Sequence, residues 1–279
     1  MVARPRQFAL VWVRRSALAC LLAFVGLGLL VASIGYRLSH PSPDAFHPEV
    51  QVAGTSLQRA LDAAPARSYL SDFHFQDTWS TCGPASLRNV LLSLRRAADS
   101  ERALFGDDRL AWWKALGTGM TLDELAELAH ANVPFEVAVL RPESLDAFRA
   151  VLREADLPQT RLIVNFDRAP LFGVSVGHFS PVGGFDPQTG LVTLLDVTEG
   201  YGFSLVPDRL LFQATRTEDP MSGRSRGLLR IVDAARSSGR SSLPAARDVT
   251  YLGHVSSLRS LMPERYPEAV QAGLERHVR

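Results

Sequence analysis

The most prominent pattern of the chain is an apolar, uncharged stretch of 20 residues near the N-terminus, residues 16–35. That length is enough for a helix to cross a bilayer. Arginines precede the stretch at positions 4, 6, 14 and 15, whereas only Arg37 and His40 follow it closely. Positive residues favour the cytoplasmic side, so the remaining chain is expected outside the cytoplasm. We predict a single-pass inner-membrane anchor over residues 1–36 with a periplasmic remainder; a cleaved signal peptide and secretion to the periplasm is the alternative.

Three later segments carry apolar residues at helical spacing. One helix is predicted to begin at Cys82, capped by Ser80 or Thr81, with apolar positions at Leu87, Val90, Leu91 and Leu94. A second is predicted over residues 121–131, where Thr121 and Glu124 have the spacing of a capping box. A third is predicted over residues 142–155. The first half of the folded region is therefore expected to be mainly helical.

The second half changes to short apolar runs separated by turn residues. Strands are predicted over residues 161–166, 177–185, 191–197 and 228–232, with a turn at residues 186–190 that contains Asp, Pro and Gly. Helices followed by antiparallel strands indicate an α+β fold with a helical lobe facing a sheet lobe. We predict a linker over residues 37–66, a folded domain over residues 67–235 and a C-terminal tail over residues 236–279.

Charge and cysteine usage exclude several classes of function. The chain of 279 residues has 30 Lys and Arg against 29 Asp and Glu, a formal net charge of +1, so no nucleic-acid partner is expected. Cys20 lies in the apolar stretch and Cys82 in the folded region, which makes an internal disulfide unexpected. The sequence has no Cys-x-x-Cys pair and no cluster of His and Cys, so no metal site of the protein is predicted.

Cys82 is the first candidate for chemistry. A thiol at the start of a helix meets the positive end of the helix dipole, which favours the nucleophilic thiolate. A lone cysteine is also commonly a buried structural residue, so its neighbours must distinguish these interpretations. A cysteine nucleophile needs a base and a group that orients the base.

Three polar residues fit those supporting roles. His178 lies in one predicted strand and Asp196 near the end of the next, where a hairpin brings them alongside each other. A carboxylate on an apolar strand face needs a partner, and the imidazole provides one. Gln76, six positions before Cys82, is a candidate donor to a developing oxyanion together with the backbone N–H of Cys82.

These residues also carry a resemblance to known families. The pattern Gln76-x5-Cys82-Gly83 resembles the nucleophile segment of papain-like cysteine peptidases. The run GHFSPVGGF at residues 177–185, followed by LLDV at residues 194–197, resembles the phytochelatin synthase family, the glutathione γ-glutamylcysteinyltransferases. The resemblance covers residues 72–232 and implies a papain-like two-lobed fold.

The resemblance implies a role for each matching residue. Cys82, His178 and Asp196 match the family's catalytic residues, and Gln76 matches its oxyanion donor. Asp219 and Arg226 match the residues that hold the γ-glutamyl end of the substrate, and Gly177 belongs to the same substrate site.

The implied reaction is cleavage of the Cys–Gly bond of glutathione or a related γ-glutamyl thiol peptide. Glycine leaves, and a γ-Glu-Cys acyl-enzyme forms that water or a second glutathione resolves, the latter giving a phytochelatin in a heavy-metal response. No cofactor is required, although heavy-metal thiolates of glutathione, such as those of cadmium, act as substrate or activator. This chain has Glu199 where eukaryotic members carry basic residues, and no Cys-rich segment follows in the sequence, so hydrolysis is expected ahead of transfer.

Two other functions remain open from the sequence. One is a general papain-like peptidase that processes other peptides, because Gln-x5-Cys-Gly is shared more widely. The other is a non-enzymatic, membrane-anchored protein whose thiol binds metal or a partner.

Overall fold

The computed structural model describes residues 5–132 and 135–233, and the chain divides into two compact units, residues 1–40 and residues 41 onward. The first unit is one helix, α1 (Pro5–Ser39). Its segment Cys20–Arg37 has a mean hydropathy of 1.8 and is long and apolar enough to cross a membrane, properties that a signal sequence near the N-terminus shares. The helix therefore fits a membrane span or a signal sequence, as the sequence predicted.

The second unit contains the remaining helices and all the strands that the structure describes. The helices are α2 (Thr55–Asp62), α3 (Ala64–Leu70), α4 (Cys82–Ser93), α5 (Arg109–Thr118), α6 (Leu122–Asn132), α7 (Leu145–Leu152), α8 (Ala169–Phe172) and α9 (Asp208–Thr215). The strands are β1 (Glu136–Leu140), β2 (Thr160–Asp167), β3 (Gly177–Asp186), β4 (Leu191–Leu195), β5 (Phe203–Pro207), β6 (Glu218–Asp219), β7 (Arg224–Ser225) and β8 (Gly227–Val232). Short 3₁₀ helices occupy Pro43–Ala45, Arg102–Phe105 and Arg153–Asp156.

The strands confirm an antiparallel sheet. Six of the described strands pair in the order β1-β8-β2-β3-β4-β5, and every neighbouring pair is antiparallel. Strands β6 and β7 form a separate small hairpin. The register between β3 and β4 shifts between Val182 and Gly184, where an extra residue forms a bulge. Helices together with an antiparallel sheet make the fold α+β.

Helices pack on both faces of this sheet. On one face, α2 to α6 pack against strand residues such as Ile163 and Phe179. On the other face, α7, α8 and α9 pack against residues such as Val164 and Phe166. Successive strand residues point to opposite faces, so a strand covered on both sides is apolar at nearly every position. The two-lobed, papain-like arrangement stays a prediction.

Part of the segment predicted as a linker belongs to the folded unit. Leu57 and Leu61 of α2 are buried in the core, and Gln51 forms a β-bridge with Leu205 of β5. The prolines suggested a spacer, but the apolar face of α2 needs burial, and the sheet provides it. The predicted tail over residues 236–279 lies outside the described residues.

Candidate active site

Cys82 is the first residue of α4 and follows a loop whose hydroxyl side chains form hydrogen bonds with the loop itself and with the end of α5. Thr81 occupies the N-cap position, but its side chain makes no capping hydrogen bond; its Oγ1 bonds with the backbone of Thr78 instead, at 3.2 Å. Ser80 Oγ donates to the carbonyl of Leu116 at the end of α5, at 2.7 Å. The loop is therefore fixed to its surroundings, and Cys82 is buried, with 8% of its surface exposed.

Helix α4 brings the thiol of Cys82 to the beginning of β3. A Cβ atom added at Gly83 would stand 3.5 Å from the ring of Phe179, so the helix start lies directly against this strand. The backbone N–H groups of Phe179 and Gly83 are close enough to the sulfur of Cys82 to lower its pKa. The thiol thus lies beside the residue that follows His178.

His178 and Asp196 form a buried pair, as the hairpin argument predicted. His178 Nε2 lies 3.0 Å from Asp196 Oδ1, and both side chains are almost completely buried. His178 is the second residue of β3, and Asp196 follows the last residue of β4. The ring of Phe166 packs edge-on against the imidazole, with centroids 5.7 Å apart, and helps to fix its orientation.

Arg168 completes this cluster, and the sequence reasoning missed it. Its Nη2 donates to both carboxylate oxygens of Asp196 at 2.6 Å and to Thr198 Oγ1 at 2.9 Å. Its guanidinium carbon lies 3.5 Å from the centre of the Tyr201 ring. The available signal was topological: Arg168 directly follows β2, which pairs with β3, so its backbone lies next to the start of the strand that carries His178.

The surroundings set the protonation states of the three catalytic candidates. Burial raises the pKa of Cys82 to about 11, although the N–H of Phe179 and the charge of Arg168 oppose the change. Burial and the charge of Arg168 lower the pKa of His178 to about 4. Burial alone would raise the pKa of Asp196, but Arg168 and His178 outweigh it and hold that pKa at about 2.

At neutral pH the resting site therefore holds a neutral thiol, a neutral imidazole and an ionised Asp196. Burial of the sulfur therefore opposes the thiolate that the helix dipole favours, and it raises the pKa of Cys82 despite nearby N–H groups and Arg168.

Gln76 is attached to the chain segment that follows Asp196. Its backbone N–H donates to the carbonyl of Val197 at 2.8 Å. Its Oε1 is buried and has no hydrogen-bond partner in the described part of the chain. Gln76 thereby lies on a loop that is bonded to the sheet at one end and continues into Cys82 at the other.

The predicted substrate residues lie on and beside the small hairpin. Asp219 Oδ1 accepts from the N–H of Met221 at 3.0 Å, and Arg226 Nε donates to Thr217 Oγ1 at 3.2 Å. A Cβ atom at Gly177 would overlap the guanidinium of Arg226, which therefore lies directly over the start of β3. The structure thus places Arg226 beside the residue that precedes His178. In the described residues, Asp219 and Arg226 form no ion pair with each other.

No group of three or more His, Cys, Asp or Glu side chains within residues 5–132 and 135–233 is arranged to hold a metal ion. The absence of a resident metal stays an expectation from the sequence.

An α+β scaffold that places a cysteine at a helix start near a buried His–Asp pair defines a candidate cysteine-nucleophile enzyme. Comparison with known proteins identifies the family. A family model described as phytochelatin synthase matches residues 42–228. The chain belongs to the phytochelatin synthase family.

Relatives in plants and yeast agree with this assignment. Glutathione gamma-glutamylcysteinyltransferase 1 of Triticum aestivum is 31% identical over 248 residues, which cover 81% of this chain and 47% of the wheat protein. The enzyme of the same name from Arabidopsis thaliana is 25% identical over 242 residues, 82% of this chain and 50% of that protein. Glutathione gamma-glutamylcysteinyltransferase of Schizosaccharomyces pombe is 31% identical over 112 residues, 39% of this chain and 27% of that protein. The chain spans about half the length of the plant relatives.

Proposed function

We propose that this protein cleaves the Cys–Gly bond of glutathione or a related γ-glutamyl thiol peptide through an acyl-enzyme on Cys82. The observation that carries the proposal is the buried His178–Asp196 pair beside the start of α4 in a chain of this family. Because His178 Nε2 faces Asp196, Nδ1 is the ring nitrogen that remains to exchange a proton with the thiol.

His178 acts as a general base in the first step. It takes the proton of Cys82 as the sulfur attacks the carbonyl carbon of the Cys–Gly bond, and the resulting imidazolium then protonates the leaving nitrogen of glycine. Ionised Asp196 stabilises the imidazolium. The C–N bond breaks and a thioester between Cys82 and γ-Glu-Cys remains, so protons and atoms balance without a cofactor.

The remaining site residues bind substrate and the developing charge. The Gln76 amide and the backbone N–H of Cys82 donate to the oxyanion of the tetrahedral intermediate. Arg226 and Asp219 bind the α-carboxylate and α-amino group of the γ-glutamyl end, and Gly177 leaves the space that the Arg226 guanidinium occupies.

Water resolves the acyl-enzyme more readily than a second glutathione in this proposal. Glu199 is exposed in the turn after Asp196, and its negative charge repels an anionic acceptor peptide. Heavy-metal thiolates of glutathione enter as substrate or activator, and residues 5–132 and 135–233 contain no group of side chains arranged to hold a metal ion.

The location of the reaction is part of the same proposal. We propose that α1 anchors the protein in the inner membrane with the second unit in the periplasm, and cleavage of α1 as a signal sequence is the alternative. Burial of Cys82 and its raised pKa slow oxidation of the thiol in that compartment, because the thiolate is the reactive form.

The test uses the full-length protein in detergent with glutathione, with and without cadmium, and measures glycine, γ-Glu-Cys and γ-Glu-Cys oligomers. We expect glycine and γ-Glu-Cys from the wild type and none from Cys82→Ala. Equal glycine release by both proteins contradicts the mechanism. Glu199→Lys is expected to raise the share of oligomers, and oligomers that dominate in the wild type contradict the assigned effect of Glu199.

A further inference from the structure

Glu101 is a completely buried carboxyl beside the active-site loop, residues 76–82, and the mechanism above leaves it without a role. It directly precedes the 3₁₀ helix Arg102–Phe105, and none of its surface is exposed. A buried carboxyl costs free energy unless hydrogen bonds compensate for the lost water. Its position therefore requires an explanation from its contacts.

The contacts of Glu101 converge on the active-site loop. Its Oε1 accepts from the backbone N–H of Asp77 at 2.9 Å. Thr81 lies close enough to the same carboxylate to lower its pKa, while its hydroxyl donates to the carbonyl of Thr78. Asp77 directly follows Gln76, and Thr81 directly precedes Cys82. The carboxylate therefore binds the loop next to the candidate oxyanion donor and lies close to the residue that precedes the nucleophile.

The backbone next to the Asp77–Glu101 hydrogen bond is also held from a second side of the loop. Gln76 N–H donates to Val197 on the sheet side, while the next N–H, that of Asp77, donates to Glu101. Two consecutive N–H groups of the loop thus have fixed acceptors on different parts of the fold. Loss of either acceptor frees the backbone from which the Gln76 side chain projects.

We propose that Glu101 is a positioning residue: its carboxylate fixes the loop so that the Gln76 amide and the Cys82 N–H stay aimed at the oxyanion. The inference rests on the proposed function. Positioning matters because an oxyanion donor displaced by about 1 Å loses most of its effect on the rate.

The buried Glu101 carboxyl lowers the stability of the fold when it is ionised. A residue with a purely structural role would be expected to raise stability instead. Burial raises the pKa of Glu101 to about 7, although the Thr81 side chain and the backbone N–H of Asp77 lower it. Of the charged groups around Glu101, the Asp77 carboxylate raises this pKa and Arg88 of α4 lowers it. Because the folded pKa exceeds the unfolded one, stability falls as pH rises from about 4.5 to about 7. In addition, Glu101 Oε2 has no partner in the described residues. Ionised Glu101 therefore improves the hydrogen bonds of the loop while it lowers the stability of the fold.

The experiment compares Glu101→Gln and Glu101→Ala with the wild type in the full-length protein, measuring single-turnover glycine release, KM for glutathione and Tm. We expect release to slow by about 10-fold in Glu101→Gln and about 100-fold in Glu101→Ala, with KM little changed. At pH 8 the Tm of Glu101→Gln is expected to equal or exceed that of the wild type. Amide exchange of Asp77 is expected to accelerate in Glu101→Ala.

Asn132→Ala is the matched control, because Asn132 Nδ2 bonds the Leu104 carbonyl of the same 3₁₀ helix but does not contact the loop. It is expected to lower Tm and leave glycine release unchanged. If the wild type releases glycine and the Glu101 variants match it, the positioning role is wrong while the proposed function stands. The positioning role is also wrong if glycine release slows and Tm falls together in Glu101→Gln, and Asn132→Ala slows glycine release by the same factor. If the wild type releases no glycine, the proposed function itself fails.

Discussion

At the residue scale, Arg168 determines the charge state of the candidate site. Asp196 is completely buried, and its two oxygens share Nη2 of Arg168, so the carboxylate stays ionised without access to water. The same positive charge disfavours an imidazolium at His178 in the resting state. The resting site therefore holds His178 uncharged, the form that the proposed general base requires.

The first prediction concerns the pH dependence of kcat/KM for glycine release. His178 must be neutral to act as base, and its pKa is lowered to about 4, so activity should decline only as the pH falls towards 4. An unperturbed histidine would give this decline near pH 6.5. Arg168→Gln removes a neighbouring positive charge, which raises the pKa of His178 and moves the decline to higher pH.

Arg168→Gln also leaves the buried charge of Asp196 without its cation, which is expected to cost about 3–5 kcal/mol of stability. Arg149→Gln is the matched control, since Arg149 pairs with buried Asp208 at 2.6 Å, apart from the catalytic candidates. It should weaken the fold and keep the wild-type pH profile. A decline near pH 6.5 in the wild type, or no shift in Arg168→Gln, contradicts this view of the site.

At the element scale, the start of β3 brings together residues that we propose as catalytic and substrate-binding. His178 faces Asp196, the N–H of Phe179 favours the Cys82 thiolate, and Gly177 lies under Arg226. The bulge after Val182 shifts the register of the β3–β4 hairpin by one residue and so decides which residues of the two strands are neighbours. Three consecutive residues of one strand thus serve three parts of the proposed mechanism.

The second prediction tests the contact between Gly177 and Arg226. In Gly177→Ala, the added methyl group displaces the guanidinium, whose Nε is held by Thr217, and the KM for glutathione should rise by roughly 10-fold. Gly117→Ala in α5 is the control, because a Cβ atom there contacts nothing within 4 Å. Steady-state kinetics check both variants, and an unchanged KM in Gly177→Ala would show that Arg226 does not bind substrate.

How far the elements were predictable depended on their length and burial. The predicted capping box at Thr121 and Glu124 is present, with hydrogen bonds of 2.9 and 3.2 Å. It could be predicted because both bonds join residues that are close in the sequence. The strands β2, β3, β4 and β8 overlap the four segments that the sequence predicted as strands. The edge strands β1 and β5, with 5 residues each, were not predicted. Strand β4 is equally short, but the turn at residues 186–190 marks its start.

The part of the candidate site that consists of motif residues could be predicted from the sequence. The part that depends on tertiary contacts could not. Spacing alone suggested the His178–Asp196 pair. The contacts of Arg168 and Glu101 depend on the packing of segments 28 and 24 residues away in sequence, with no local pattern to reveal them. The protonation state of Cys82 likewise depends on burial, which a local sequence does not determine.

At the scale of the whole molecule, the boundary between the first and the second compact unit is open to a direct test. The family match begins at residue 42, and the second compact unit begins at residue 41. This boundary lies well before the start of the folded domain that the sequence predicted at residue 67. The core residues of α2 explain the difference, because they fall between the two positions.

The third prediction compares two truncations of the protein. Removal of residues 1–40 should leave Tm and glycine release unchanged and abolish association with membranes. Removal of residues 1–66 also deletes Leu57 and Leu61, each worth about 2–5 kcal/mol when buried, and should unfold a domain of ordinary stability. Thermal unfolding checks both proteins. An equal Tm for the two truncations contradicts the assignment of α2 to the core.

The central claim is that Cys82 forms an acyl-enzyme with the γ-Glu-Cys part of glutathione. The most direct test is intact mass measurement of the full-length protein, mixed with glutathione and stopped in acid within the first turnover. We predict a mass increase equal to glutathione less glycine in the wild type and in Cys20→Ser, located by peptide mapping at Cys82. An adduct on another residue, or glycine release by Cys82→Ala at the wild-type rate, contradicts the account.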